Sequence, residues 1–183
     1  NKACADAAHG IEHSTMVTAM ARNGVSIGIR VSGLGDRWFT APAPDVAGAY
    51  FPGYSAEDAN KDIGDSAIME TGGIGGMAIA TAPAIVRFLG AGKYQDAVNY
   101  TNNMYEITLS EQDQYAMPDM DFRGSPIGID ILKVVETGIS PIINTAIACK
   151  RPGVGMIGAG ISKAPLEMFE EAMVAFGEAH GLQ

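Results

Sequence analysis

From Val25 to Ser32 the chain alternates without a break: Val25, Ile27, Ile29 and Val31 fall on one side, Ser26, Gly28, Arg30 and Ser32 on the other. A period of two is the mark of a strand with one buried face. Asn23-Gly24 just ahead of it is a two-residue turn of the kind that closes hairpins. The preceding Ser14–Arg22 segment is compatible with helix or strand, and the turn favours a hairpin. On the polar face Arg30 stands between two serines, and Gly28 leaves room for something to approach the backbone.

No regular β-α-β rhythm follows. Gly33 to Asp65 is rich in Gly and Pro and holds no sustained period, which predicts a long ordered loop, and such loops are commonly functional. Gly72 to Gly76 (GGIGG) leads into an apolar segment broken by Pro83, where Thr81 is placed to cap a second helical piece running to Leu89. Lys93 to Leu109 puts Tyr94, Ala97, Val98, Thr101, Met104, Tyr105 and Thr108 on one face at helical spacing. Phe122 to Gly138 joins the turn chemistry of RGSPIG to IDILKVVETG, a strand or a short helix, and Pro141–Cys149 suits a buried strand. Pro165 then opens a closing helix whose stripe of Leu166, Phe169, Met173 and Phe176 is stopped by Gly181. This order predicts an α+β fold: a mixed sheet, a long ordered Gly/Pro-rich loop and packed helices, not a Rossmann fold.

At 183 residues, 47% of them hydrophobic, the chain fits a single domain over 1–183 that needs no disulfide or metal to bury its core. A formal charge of −9 and only 12 Lys and Arg exclude sequence-independent nucleic-acid binding and disfavour acidic membranes. A small anion stays compatible with that charge, because a pocket needs only a local arginine or a few N–H groups. Cys4 and Cys149 are far apart and lack zinc-like spacing, so a reducing cytoplasm is expected. The Ile74–Val86 stretch is short for a membrane span and contains Pro83, and no signal peptide is visible. The chain starts at Asn1, and Lys2–Gly10 reads as a helix already under way, which suggests the carboxyl-terminal fragment of a longer subunit.

Gly153, Gly155 and Gly158 fit GxGxxG, and Gly73, Gly75 and Ala78 fit GxGxxA, but neither has the strand–turn–helix context of a dinucleotide site. No redox cofactor is expected. GGIGG before a helical segment could instead offer backbone N–H groups to a phosphate or carboxylate, or could simply allow close packing. Asp58, Asp62, Asp65 and Glu70 form an acidic run that does not match a calcium loop, so solvated loop carboxylates are preferred to a metal site. There is no GxSxG, and the His9/His13 pair is interrupted by Gly10, which leaves a Ser-His-Asp hydrolase and a helical metal pair unsupported. Cys149 reads as an inert core thiol.

The stretch from Arg30 to Tyr54 concentrates arginine, aspartate and the lone tryptophan among glycines and prolines. Arg30, Arg37 and Arg123, each beside glycine or an aromatic ring, are the candidate catalytic cations, because a guanidinium grips a carboxylate or phosphate through two parallel hydrogen bonds. Asp36, Trp38, Gly72, Gly73, Gly75, Gly76, Asn144 and Lys150 are the candidate substrate contacts. The competing reading is that the arginines pair with Asp36, Asp121 or Asp130.

RVSGLGDRWFTAPAP, YFPGYSAEDANKDIGDSAIMETGGIGG, MYEITL, DFRGSPIGID, VVETGI, PIINTAIACK and GVGMIGAGISKAPLE together closely resemble the carboxyl-terminal part of YlbE-like proteins, a domain of unknown function. The resemblance runs from about Asn1 to about Glu170. Within that family some members resemble the AllG-type subunit of bacterial oxamate carbamoyltransferase, an enzyme of allantoin degradation that converts oxalurate and phosphate into oxamate and carbamoyl phosphate. The resemblance implies a larger oligomeric complex, with other subunits and an amino-terminal portion as partners and a small anion as substrate. Arg30, Arg37 and Arg123 would then hold anions around a tetrahedral centre, with GGIGG or GVGMIGAG supplying N–H donors. The SxRT signature of aspartate and ornithine carbamoyltransferases is absent. The alternative function is a non-catalytic assembly or ligand-sensing domain.

Overall fold

The structure is a computed structural model and describes residues 1–88 and 93–181. The hairpin expected at Asn23-Gly24 is present. Strand β1 (Val17–Asn23) pairs antiparallel with β2 (Ser26–Val31), and the Asn23 side chain accepts from the Val25 and Ser26 N–H groups to hold the turn. Ile27, Ile29 and Val31 are buried, as the alternation requires.

The expected loop from Gly33 to Asp65 is interrupted by three short strands, while most of its residues remain loop and turn. Strand β3 (Trp38–Pro42) adds to the free edge of β2, β4 (Ala47–Tyr50) joins another sheet, and the short β5 (Ile63–Gly64) pairs with β1. Edge positions explain why this segment looked irregular. Pro42 ends β3, where no outward N–H is needed, and the small residues of β4 hide any period. Gly28 likewise makes room for β3 rather than for a ligand: a Cβ there would lie 3.0 Å from Thr40 and 3.2 Å from the Trp38 ring.

Helix α1 (Lys2–Ala7) lies against β1, and α2 (Ala67–Glu70) follows β5. A 3-10 segment, Gly75–Thr81, and helix α3 (Pro83–Phe88) form the broken helix expected around Pro83. Thr81 donates to the Ala78 carbonyl and caps nothing, while the expected end at Leu89 lies outside the described residues. Helix α4 (Tyr94–Glu106) packs Ala97, Thr101 and Met104 inward. Strands β6 (Thr108–Met117) and β7 (Arg123–Ile129) form a separate two-stranded ribbon. IDILKVVETG resolves as helix α5 (Ile131–Thr137), because the Asp130 side chain caps it through the Leu132 N–H and Gly138 ends it with φ 66°.

Strand β8 (Ile142–Ala148) confirms the buried strand, and it pairs with β9 (Met156–Lys163). The GVGMIGAG glycines run from the β8–β9 turn into β9: a Cβ on Gly160 would sit 2.4 Å from the Ala47 carbonyl oxygen and one on Gly158 2.3 Å from that of Ala49, so these two glycines let β4 close onto β9. Helix α6 (Glu167–His180) buries Phe169 and Phe176 against β2 and β3. Each such ring contributes roughly 1.5–3 kcal/mol by leaving water.

The fold is α+β without a doubly wound sheet. The mixed sheet expected from the sequence is replaced by three antiparallel sheets, ordered β3-β2-β1-β5, β4-β9-β8 and β6-β7. A main core of Ile29, Phe39, Ile79, Met104, Ile143 and Phe169, among others, runs through the sheets and helices.

Candidate functional site

The two larger sheets meet at a buried polar seam. In β1 the period of two puts Arg22 in phase with Met20, and the hairpin register sets it opposite Ile27, so its side chain is carried to the inner face. There Nε donates to Asp62 Oδ1 at 2.9 Å, with both side chains closed to solvent. The terminal nitrogens donate to Ser66 Oγ and Thr145 Oγ1, each at 2.8 Å, and to the Gly64 carbonyl at 3.2 Å. Asp62 in turn accepts from Ser162 Oγ at 2.6 Å and Thr145 Oγ1 at 3.2 Å. A buried charge survives only when paired and saturated with hydrogen bonds, and this network does both.

Above the seam lies an open cavity of about 440 Å³. Arg22, Gly64, the exposed Asp65, Ser66, Asn144 and Thr145 supply its polar lining, and Ile63, Ile85 and Met156 much of its apolar lining. Because Ser66 and Thr145 are both held by Arg22, the guanidinium fixes this floor without facing solvent itself.

Glu70, at the end of α2, is the second buried carboxyl here. Its Oε1 accepts from the Gly76 N–H and the Asn144 N–H, both at 3.0 Å. Its Oε2 is buried and has no hydrogen-bond partner among the described residues. Burial pushes the carboxyl up to about 7, against the opposing pull of the Gly76 and Asn144 N–H groups and the positive charge of Arg22.

The expected solvated acidic run is corrected at these two positions. Asp62 and Glu70 are buried, whereas Asp65 is exposed and Asp58 half-buried. Among the described residues no group of His, Cys, Asp or Glu is arranged to hold a metal ion.

At GGIGG, left open between an anion site and close packing, the protein's own Glu70 carboxyl is the acceptor. Gly76 binds Glu70, and Gly75 (φ 68°) lies so close that a Cβ would be 2.3 Å from Oε1. Gly72 packs on the Asn1 side chain and Gly73 on Ser125.

The arginines do not converge. Arg30, Asp36 and Trp38 gather at the end of the β2–β3 pair: Arg30 meets Asp36 at 2.9 Å and lies 5.6 Å from the Trp38 ring centre. Arg37 lies over Phe39 and lines a cavity of about 540 Å³ with Glu167, Glu170, Glu171 and Glu178, a wall that repels anions. Arg123 sits on the ribbon, 2.7 Å from Glu111 and 3.4 Å from the Tyr105 ring centre, and the Glu111 hydrogen bond holds it more firmly protonated. The carboxylate pairing weighed as the alternative is met for Arg30 by Asp36, and for Arg123 by Glu111 rather than Asp121 or Asp130. Lys150 is exposed at the β8–β9 turn, and Cys149 is half-buried. Of the candidate catalytic and substrate-contact residues named from the sequence, only Asn144 lines the seam cavity, where Asp65 of the acidic run joins it.

Arg22, Ser66, Thr145 and Ser162 escaped the sequence reading. One signal was available: extending the hairpin register two pairs beyond Met20 places Arg22 inward, where an arginine requires a partner.

The family model for oxamate carbamoyltransferase subunit AllG matches residues 1–66. The chain is 55% identical over 181 residues to YahG of Escherichia coli (strain K12), described as uncharacterized, covering 99% of this chain and 38% of that protein. It is 52% identical over 181 residues to the oxamate carbamoyltransferase subunit AllG of the same organism, covering 99% of this chain and 43% of that protein. The fold matches a crystal structure of a conserved protein of unknown function from Enterococcus faecalis V583, with a TM-score of 0.92 and 55% identity over 95% of this chain and 42% of that one. These similarities support the AllG-like side of the resemblance drawn from the sequence; the YlbE-like label has no counterpart in them. Among the described residues no helix is long and apolar enough to cross a membrane. Along nearly all of its length the chain is therefore similar to one part of the AllG-type subunit of oxamate carbamoyltransferase, and it spans about two fifths of the relatives it matches.

Proposed function

We propose that this chain is part of a carbamoyltransferase-type subunit and that the seam cavity is its contribution to binding a small carbamoyl-bearing anion such as oxamate. The observation that carries the reading is the 52% identity to AllG over 181 residues. The chemistry of the cavity supports it. An Asn144 side-chain amide can meet a carbamoyl group donor to acceptor and acceptor to donor, and the Ser66 and Thr145 hydroxyls are anchored on a guanidinium. Arg22 is already shared with Asp62 and the exposed Asp65 adds a carboxylate at the cavity wall, so recognition here rests on hydrogen bonding and not on net positive charge. Arg30, Arg37 and Arg123 take no part in this reading. Other subunits are its proposed partners.

A second reading, an assembly domain whose partner carries the chemistry, is favoured by the exposure of Ile63, Ile85 and Met156 around the same cavity. Carbamoyl transfer between oxamate and carbamoyl phosphate, assayed with the full-length chain in its complex, separates the two. A raised KM for oxamate in Asn144→Ala, with the complex still assembled, supports the first. Unchanged kinetics with weakened assembly supports the second.

A further inference from the structure

Strand β8 is the outer strand of its sheet, and an outer strand leaves the N–H and C=O of every second residue without a neighbouring strand. In an antiparallel ladder one residue's N–H and C=O point to the same edge, so the register fixes which residues face outward. Asn144 faces outward, because its N–H reaches Glu70 Oε1 at 3.0 Å. The pairing with β9 runs unbroken from Ile142 to Ile147, so Ala146 faces outward as well. Both flanks of this position are covered. On one side Glu70 takes the Asn144 N–H and Ser66 Oγ meets the Asn144 carbonyl at 3.5 Å; on the other the Ala148 carbonyl accepts from the Asn60 N–H, and Cys149 bridges to Ala59. Ala146 is the gap between these closures. It is exposed and lines the seam cavity, and among the described residues nothing outside β8 bonds its N–H. Its carbonyl lies 3.2 Å from Thr145 Oγ1, a contact that occupies at most one of its two lone pairs.

We propose that the Ala146 N–H and C=O form the carbamoyl-recognition edge of the seam cavity and set its preference for an amide over a carboxylate. This rests on the cavity reading above and adds to it the feature that selects the ligand. A primary amide carries a carbonyl oxygen and an N–H side by side: the first accepts from the Ala146 N–H, and the second donates to the Ala146 carbonyl. The ligand thus supplies the one missing rung of β-pairing. It keeps a second N–H and a second carbonyl lone pair, and Asn144, two residues back on the same face of β8, meets one of them. A carboxylate of the same shape has no N–H to give. It would set an anionic oxygen against the Ala146 carbonyl, so oxalate, which carries an oxygen where oxamate carries its nitrogen, is disfavoured.

The test measures binding of oxamate and of oxalate to the full-length protein in its complex by calorimetry. Wild type is expected to bind oxamate on the order of 10- to 100-fold more tightly than oxalate. Ala146→Pro removes the N–H at a strand edge, where proline is tolerated, and is expected to abolish that preference. Hydrogen exchange on the unaltered protein gives a readout free of any folding defect: oxamate, and not oxalate, is expected to slow the Ala146 amide. Equal affinity of wild type for the two ligands, an Ala146→Pro protein that still prefers oxamate, or Ala146 exchange that oxamate leaves unchanged overturns the inference and leaves the cavity reading, which Asn144→Ala tests, in place. A wild-type complex that binds no oxamate overturns the cavity reading. Acetamide and acetate then decide the edge: slower exchange at Ala146 with acetamide alone supports it, and equal exchange with both sinks it.

Discussion

Arg22 and Asp62 form an ion pair from which water is shut out, Nε to Oδ1 at 2.9 Å, and it ties the first sheet to the second through Thr145 and Ser162. Neither residue is near the other in sequence, yet each satisfies the other's burial.

Removing one partner should therefore be much worse than removing both. Asp62→Leu leaves a guanidinium buried without its counter-charge and is expected to cost about 3–5 kcal/mol. The double replacement Arg22→Met with Asp62→Leu is expected to cost less than either single change. Urea denaturation of the four proteins closes the cycle; additive losses would show that the pair is not coupled.

Stability should also depend on Glu70. Its folded value, raised to about 7 from 4.5, means that the native state holds this proton more tightly than the unfolded chain. The associated stability is fully present below about 4.5, declines as pH rises, and is gone once pH has passed through about 7. Its total is on the order of 3 kcal/mol. Relative to wild type, Glu70→Gln is expected to gain stability steadily between pH 4.5 and 7.5 and to level off above that, as read from denaturation midpoints at each pH.

Close approach of β4 to β9 rests on glycine. Gly160→Ala places a Cβ where the Ala47 carbonyl lies only 2.4 Å away, and backbone on both sides cannot yield cheaply. A loss of roughly 2 kcal/mol or more is expected. Limited proteolysis should find new cuts between residues 44 and 55, the segment that peels away first.

Arg123 offers the opposite case. It is half-exposed beside Glu111 on the ribbon, so Arg123→Ala is expected to change stability by less than about 1 kcal/mol. Asn144→Ala, by contrast, is expected to raise the KM for oxamate about tenfold while leaving the melting temperature nearly unchanged. A large kinetic defect in Arg123→Ala would return attention to the arginines first suggested by the sequence.

Local periodicity determined a good deal. The β1–β2 hairpin, β8, α4 and α6 follow from alternation, helical spacing and turn or cap residues a few positions apart, and with them the α+β class. Trp38 to Pro42 alternates too, but the glycines before it and Pro42 and Pro44 at its end disguised an edge strand as loop. What no local pattern contains is which polar residues meet: Arg22 finds Asp62 across 40 residues and Thr145 across 123. Burial of Asp62 and Glu70, and hence the seam and its cavity, is a property of how the sheets pack, because the cost of an interior charge is set by neighbours that only the folded chain assembles. Arg30 and Arg123 show the converse: composition made them look like a site, and nearby carboxylates within hydrogen-bond reach had already claimed them.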